Sequence, residues 1–184
     1  MTQRVDEWNR DLTPTVAWLP RRGMRAYSPH DYRRVPRNSP RREDFGMSEA
    51  NKALVRRVLE EGFTKHNAAI FDELLPDCIF HSPGVGELRD YAYRQFLGAV
   101  LAAFPDGRWT IEDQVAEGDK VVTRWTFVGT HEGELMGIRP TSKKVAISGI
   151  MIDRVVGGRI AEEWEESDTL GMMQQLGAIA QLSS

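Results

Sequence analysis

From residue 48 onward the apolar positions fall first at helical spacing and then at strand spacing. Leu54, Val55, Val58, Leu59 and Phe63 recur every three to four residues, which predicts an amphipathic helix that Ser48 is placed to cap. Ile70, Phe71, Leu74 and Leu75 predict a short second helix, ended by Pro76. Cys78 to His81 reads as a brief strand, and Ser82 to Glu87 as a loop. Asp90 is placed to cap a third helix with the stripe Tyr93, Phe96, Leu97, Val100, Leu101 and Phe104, and the Pro105-Asp106-Gly107 turn stops it.

The period then changes to two. Arg108 to Glu117 reads as a strand that turns at Glu117-Gly118-Asp119 into Lys120 to His131, with Val121, Thr123, Trp125, Phe127, Gly129 and His131 on one face. A loop rich in glycine follows. Lys143 to Val156 predicts a long strand, Gly157-Gly158 a turn, and Arg159 to Ser167 a last strand. Asp168 is placed to cap a closing helix carrying Leu170, Met173 and Leu176. Helices first and antiparallel hairpins afterwards make the fold class α+β, a cone-shaped curved antiparallel sheet wrapped around N-terminal helices. Such a cone leaves a mainly apolar cavity at its open end, the usual place for a small ligand. Alternation puts Glu163, Glu165 and Ser167 on one face of the last strand, and Ile160, Glu162, Trp164 and Glu166 on the other. Gly149, Met151 and Asp153 share a face of the preceding strand. Acids turned into such a cone are costly unless paired, hydrogen-bonded or protonated, so either some face solvent or one is kept there for proton transfer.

Composition narrows the class. With 184 residues, 41% hydrophobic and 28% charged, the chain has the profile of a globular domain and not of a disordered or collagen-like one. No run of 18 apolar residues predicts a membrane span, and the N-terminus has no apolar signal region, so a cytoplasmic protein without membrane partners is expected. The single cysteine, Cys78, cannot form an intramolecular disulfide, and four histidines without cysteine partners predict no metal site. Residues 1–46 hold ten arginines, six acids and five of the nine prolines, and read as an irregular arm preceding a folded domain over 47–184. The arm is a basic tail for an anionic partner, an accessory segment docked by Trp8, Trp18 and Tyr27, or the product of a start placed too far upstream. Its interspersed acids argue against nucleic-acid binding.

The run Gly129-Thr130-His131-Glu132-Gly133-Glu134-Leu135-Met136-Gly137-Ile138-Arg139-Pro140-Thr141 resembles the GTHxGxxxGxxPT segment of the SnoaL-like polyketide (ester) cyclases. Arg154, Gly158-Arg159-Ile160, Trp164, Asp168 and Gln174-Gln175-Leu176-Gly177 resemble the ending of the same family, and Pro76-Asp77 and Phe104-Pro105-Asp106 fit its helical half. The likeness covers about residues 48–180. It implies a cone of the nuclear transport factor 2-like superfamily, dimeric through the outer sheet face. It also implies intramolecular aldol ring closure of a polyketide ester, with neither metal nor organic cofactor. The family's acid/base aspartate falls by count on Glu165, and its histidine of the GTH segment on His131. The Gln and His that the cyclases carry on the preceding strand are replaced by Gly149 and Met151, which thins the polar set.

Aldol closure needs a proton taken from a carbon flanked by carbonyls, an enolate held in place, and a proton returned to the new alkoxide. A desolvated carboxylate suits both proton transfers. Glu165 is therefore the first candidate, with a rim carboxylate as its bland alternative; its extra methylene relative to aspartate displaces the carboxyl by about 1 Å. His131 either donates to an enolate oxygen or braces the loop after it. His81 stands near the expected mouth, and Asp168 is a helix cap before it is a catalyst. Trp125, Phe127, Met136, Met151 and Phe80 are candidates to line the pocket for a small hydrophobic substrate. Isomerases of this superfamily use a tyrosine beside a carboxylate, for which Tyr91 or Tyr93 would serve. A non-catalytic small-molecule-binding or dimerisation module, or a hydrolase on the same cone, stays as the alternative. Ile150, Ile152, Ile160 and Trp164 form an apolar outer stripe that predicts a homodimer.

Overall fold

In this computed structural model the described residues are 42–180, so the arm expected over 1–46 lies outside them up to residue 41. Helix α1 spans Arg42–Arg57 and runs on into a π-helical segment, Val58–Thr64, so Ser48 lies inside the helix and does not cap it. Val55, Val58 and Leu59 are buried along its inner side. Gly62 lets the π segment lie against α2 (Ala69–Leu74), because a Cβ there would come within 2.5 Å of the Phe71 ring. After strand β1 (Ile79–Ser82), the expected loop contains a short strand, β2 (Gly86–Leu88). Helix α3 (Asp90–Ala103) starts at Asp90 itself, with Arg89 as its N-cap and no side-chain capping bond.

Four strands then follow in hairpins: β3 (Arg108–Glu117), β4 (Lys120–Thr130), β5 (Lys144–Val156) and β6 (Arg159–Ser167). Helix α4 (Thr169–Leu176) closes the described chain, with the Asp168 carboxylate accepting from the Gly171 N–H at 2.8 Å and Gly177 in the left-handed region at its C-terminus. The sheet has the order β2-β1-β6-β5-β4-β3 and is not closed. It is mixed and not wholly antiparallel, because β1 lies parallel to β6 while every other pair is antiparallel.

Alternation along β4 holds from end to end: Val121, Thr123, Trp125 and Phe127 are buried and their neighbours are not. On β6 it does not. Arg154 pairs with Glu162 but Val155 pairs with Ile160, so Ala161 is skipped and the strand changes parity there. Ile160 is thereby buried, and the expected outer stripe keeps Ile150, Ile152 and Trp164 but loses Ile160. Inside, Phe80 stacks on Tyr93 with centroids 4.9 Å apart, and Phe104 meets Phe127 edge-on at 5.0 Å. Each such buried side chain contributes roughly 1.5–3 kcal/mol. The aromatic layer joins α3 to the concave side of the sheet.

Candidate active site

The concave side encloses a cavity of about 100 Å³ between α3, the sheet and α4. Its wall is mostly rings and aliphatic side chains, among them Phe80, Phe96, Trp125, Phe127, Met136 and Met151. The five residues read from the sequence as substrate-binding, Trp125, Phe127, Met136, Met151 and Phe80, all line it. They reach it for one reason, a shared strand face, except Met136, which comes from the loop after β4.

The polar wall comes from β6. Glu163, Glu165 and Ser167 alternate onto the cavity. Glu165 is paired in register with Met151 and Glu163 with Asp153. The Tyr93 hydroxyl donates to Glu163 Oε2 at 2.7 Å. Asp153 has no exposed surface, and neither of its carboxyl oxygens has a partner among the described residues.

This crowding of acids shifts every group in it. Burial pushes the Glu163 carboxyl up to about 7 against the pull of the Tyr93 hydrogen bond. Burial and the neighbouring Glu163 charge push Glu165 up to about 7, while the Ser167 hydroxyl acts the other way. Asp153 is held well above the usual carboxylate range by burial and then by the Glu163 and Glu165 charges. Burial and the same carboxylates raise Tyr93 and Cys78, which keeps the phenol and thiol protonated. The resulting set is one carboxyl reaching the cavity beside a second that a tyrosine holds, backed by a buried third acid.

Trp125 fills the gap left on β5. Gly149 lies opposite Trp125 on one side and Ser167 on the other. A Cβ at Gly149 would stand 2.7 Å from the indole Cε2, closer still to Cζ2, and 2.8 Å from the Glu166 carbonyl oxygen. Glycine at 149 thus lets the indole lie across the strand. The indole Nε1 is buried and has no acceptor among the described residues.

The remaining sequence candidates lie elsewhere. His131 is fully buried behind Phe104, 5.4 Å between ring centroids, and is not part of the cavity wall. Its Nδ1 is 3.2 Å from Thr141 Oγ1, and its carbonyl accepts from the Thr141 and Ser142 N–H groups, so it fastens the loop that follows it. Burial lowers its pKa and keeps it neutral. His81 points to the outer face because its neighbour Phe80 points in. There its Nε2 is 3.0 Å from Glu162 Oε1 and its ring stacks on Trp164 at 5.5 Å. Asp168 caps α4, outside the cavity wall. Tyr91 is exposed. Among the described residues, no group of three or more His, Cys, Asp or Glu is placed to hold a metal ion. Sequence reasoning set Glu163 and Asp153 on strand faces of the cone without naming them as site residues, and missed Trp125 Nε1 altogether. The shared strand faces signalled the first two; nothing local signalled the third, since it depends on a glycine 24 positions away.

Fold and wall together define an α+β cone with an apolar, acid-bearing cavity. The sequence profile of the SnoaL-like polyketide cyclases matches residues 53–176, and the chain belongs to that family. Nogalonic acid methyl ester cyclase of Streptomyces nogalater is 30% identical over 87 residues, 47% of this chain and 65% of that protein, so the match spans less than two thirds of the relative. Among solved structures, AclR of Streptomyces galilaeus, a candidate hydroxylase, superposes with a TM-score of 0.66 at 26% identity, over 74% of this chain and 87% of its own. IdmH of Streptomyces antibioticus, a candidate polyketide cyclase, gives 0.60 at 31% identity, over 69% of this chain and 98% of its own. Among the described residues no helix is long and apolar enough to cross a membrane.

Proposed function

We propose that the chain closes a ring in a planar, hydrophobic polyketide ester by intramolecular aldol addition, with Glu165 as acid and base. The observation that carries this reading is a glutamate on the wall of an apolar cavity whose pKa is pushed up to about 7. It stands at the position where the family's aspartate falls by count. Ionised, Glu165 takes a proton from the carbon between two carbonyls. The resulting enolate carbon attacks a ketone carbon of the same molecule, a C–C bond forms, and the ketone π pair becomes an alkoxide. The alkoxide then takes the proton back from Glu165, so the enzyme ends as it began. A carbon flanked by two carbonyls is acidic enough for this base alone, so no metal or organic cofactor is needed. The name of the Streptomyces nogalater relative supports a methyl ester as the substrate class.

Glu165→Gln tests the assignment on nogalonic acid methyl ester. We expect turnover to fall by about 10²–10⁴-fold with substrate affinity changed by less than about threefold. Unchanged turnover would remove Glu165 as the base. The Tyr93–Glu163 hydrogen bond at 2.7 Å favours a second reading, a proton-shifting isomerase on the same cone. Its product would be a double-bond isomer without a new ring.

A further inference from the structure

We propose that the hydroxyls of Ser167 and Thr169 are the pair of donors that holds the enolate oxygen of a β-keto ester substrate. The inference rests on the aldol reading above, and names the groups that meet the charge Glu165 creates.

Removing a proton from carbon moves negative charge onto a carbonyl oxygen, and an apolar cavity must meet that oxygen with placed donors. The cavity wall contains no lysine, arginine or histidine among the described residues. Tyr93 already gives its hydroxyl proton to Glu163, and the Trp125 indole nitrogen is sealed off. Apart from the carboxyls, the side-chain donors left on the wall are the hydroxyls of Ser82, Ser167 and Thr169. Ser167 and Thr169 stand together, Oγ to Oγ1 at 3.5 Å, and both are partly exposed. That separation is long for a bond between two hydroxyls, whose usual distance is about 2.7–2.8 Å. It leaves room for one ligand oxygen within about 2.8 Å of each. Among the described residues Thr169 Oγ1 has no other hydrogen-bond partner.

Their place in the wall suits the task. Ser167 follows Glu165 by two residues on the concave face of β6, and Thr169 is the first residue of α4. Thr169 Oγ1 is 3.5 Å from where a Gly84 Cβ would stand, and Met136 Cε is 3.9 Å from the same point. Gly84 and Met136 are exposed members of the wall, so the hydroxyls lie at its open edge, with the rings of Phe80, Phe96 and Phe127 making up other parts of it. A ligand whose ketone oxygen reaches the pair sets the adjacent carbon beside Glu165 and its apolar part against the rings. The Ser167 hydroxyl also bonds the Glu165 carboxylate and draws its pKa down. When Glu165 takes the substrate proton, its negative charge passes to the enolate oxygen. The Ser167 hydroxyl then turns from the neutral carboxyl to that oxygen, and Thr169 donates beside it. Bonds that strengthen as the charge arrives stabilise the transition state more than the bound substrate.

Methyl benzoylacetate, an aromatic β-keto ester labelled with ¹³C at the ketone, tests this by two separate readouts. Infrared difference spectra read the bound ketone, whose stretching band should lie below its position in hexane. Thr169→Val and Ser167→Ala should each move the band back up, and Thr169→Ser should keep it low. Proton NMR in D₂O reads loss of the hydrogens between the two carbonyls, which each of the first two variants should slow by about 10–100-fold. Glu165→Gln should stop the enzyme's share of that exchange and leave the infrared band where it was. A band unmoved by Thr169→Val and Ser167→Ala, with exchange still dependent on Glu165, would overturn the donor pair and leave the Glu165 reading intact. Failure of methyl benzoylacetate to bind would overturn the β-keto ester class and the pair with it. A lowered band that both hydroxyl variants raise, with full exchange by Glu165→Gln, would keep the pair and reject the base.

Discussion

Asp153 and Glu163 face one another across β5 and β6, and Glu165 follows two residues on along the same face. All three have pKa values raised by burial, so the folded chain binds protons that the unfolded chain has released. The stability that Glu163 and Glu165 allow is fully present below the ordinary glutamate value of 4.5 and is lost as pH rises through about 7, and Asp153 acts in the same direction. For Glu163 alone the loss above pH 7 is about 3 kcal/mol. Glu163→Gln should therefore leave stability near pH 4.5 little changed and raise it at pH 8, less the lost strength of the Tyr93 bond. Urea unfolding at the two pH values checks this, and an equal effect at both would contradict it. At this scale the sequence was informative wherever a residue's role follows from parity: Phe80, Trp125, Phe127, Met151, Glu163 and Glu165 all reach the cavity by alternation. For His131, His81 and Asp168 the sequence left two roles open, because a histidine or aspartate in a motif braces a loop, stacks on an outer tryptophan or caps a helix as readily as it meets a substrate; the structure shows the bracing and capping contacts for His131 and Asp168 and sets His81 on the outer face.

Among the elements, β3 to β6 were legible in the sequence to within a residue at most ends, since long alternating runs punctuated by glycine turns leave few alternatives. What escaped has non-local causes. Strand β2 is three residues long, and β1 pairs with β6, about eighty residues away, so neither local pattern nor turn chemistry announces them. The skipped Ala161 reverses the parity of Ile160 for the same reason, since a bulge is a property of two strands and not of one. The π-helical segment packs its Gly62 closely on Phe71, a contact between two elements that no local pattern announces. Strand β5 owes the seating of Trp125 to its own glycine, so Gly149→Ala should destabilise by about 1–3 kcal/mol as the indole is forced off the strand. Denaturant unfolding reads the loss, and near-ultraviolet circular dichroism reads the displaced tryptophan. A change under about 0.5 kcal/mol with an unchanged spectrum would contradict the packing described.

For the whole molecule, the cavity explains what the concave side of the sheet is for, and the convex side needs its own account. Ile150 and Val128 are exposed there on neighbouring strands, beside half-buried Ile152 and Trp164. We propose that this face joins two copies of the chain. Sedimentation equilibrium should give twice the 20.9 kDa chain mass, and Ile150→Lys should return it to the single-chain value. A single-chain mass for the unaltered protein would refute the dimer and leave the cavity argument standing.

Proton transfer by Glu165 requires that the cavity give its carboxyl a proton affinity near neutrality. Carbon-13 NMR titration of the Glu165 side-chain carboxyl, assigned through Glu165→Gln, measures that directly. The midpoint should lie at about 7 and fall when Glu163→Gln removes the neighbouring charge. A midpoint near the 4.5 of an ordinary glutamate, unmoved by that substitution, would mean that Glu165 is solvated and has no part in proton transfer.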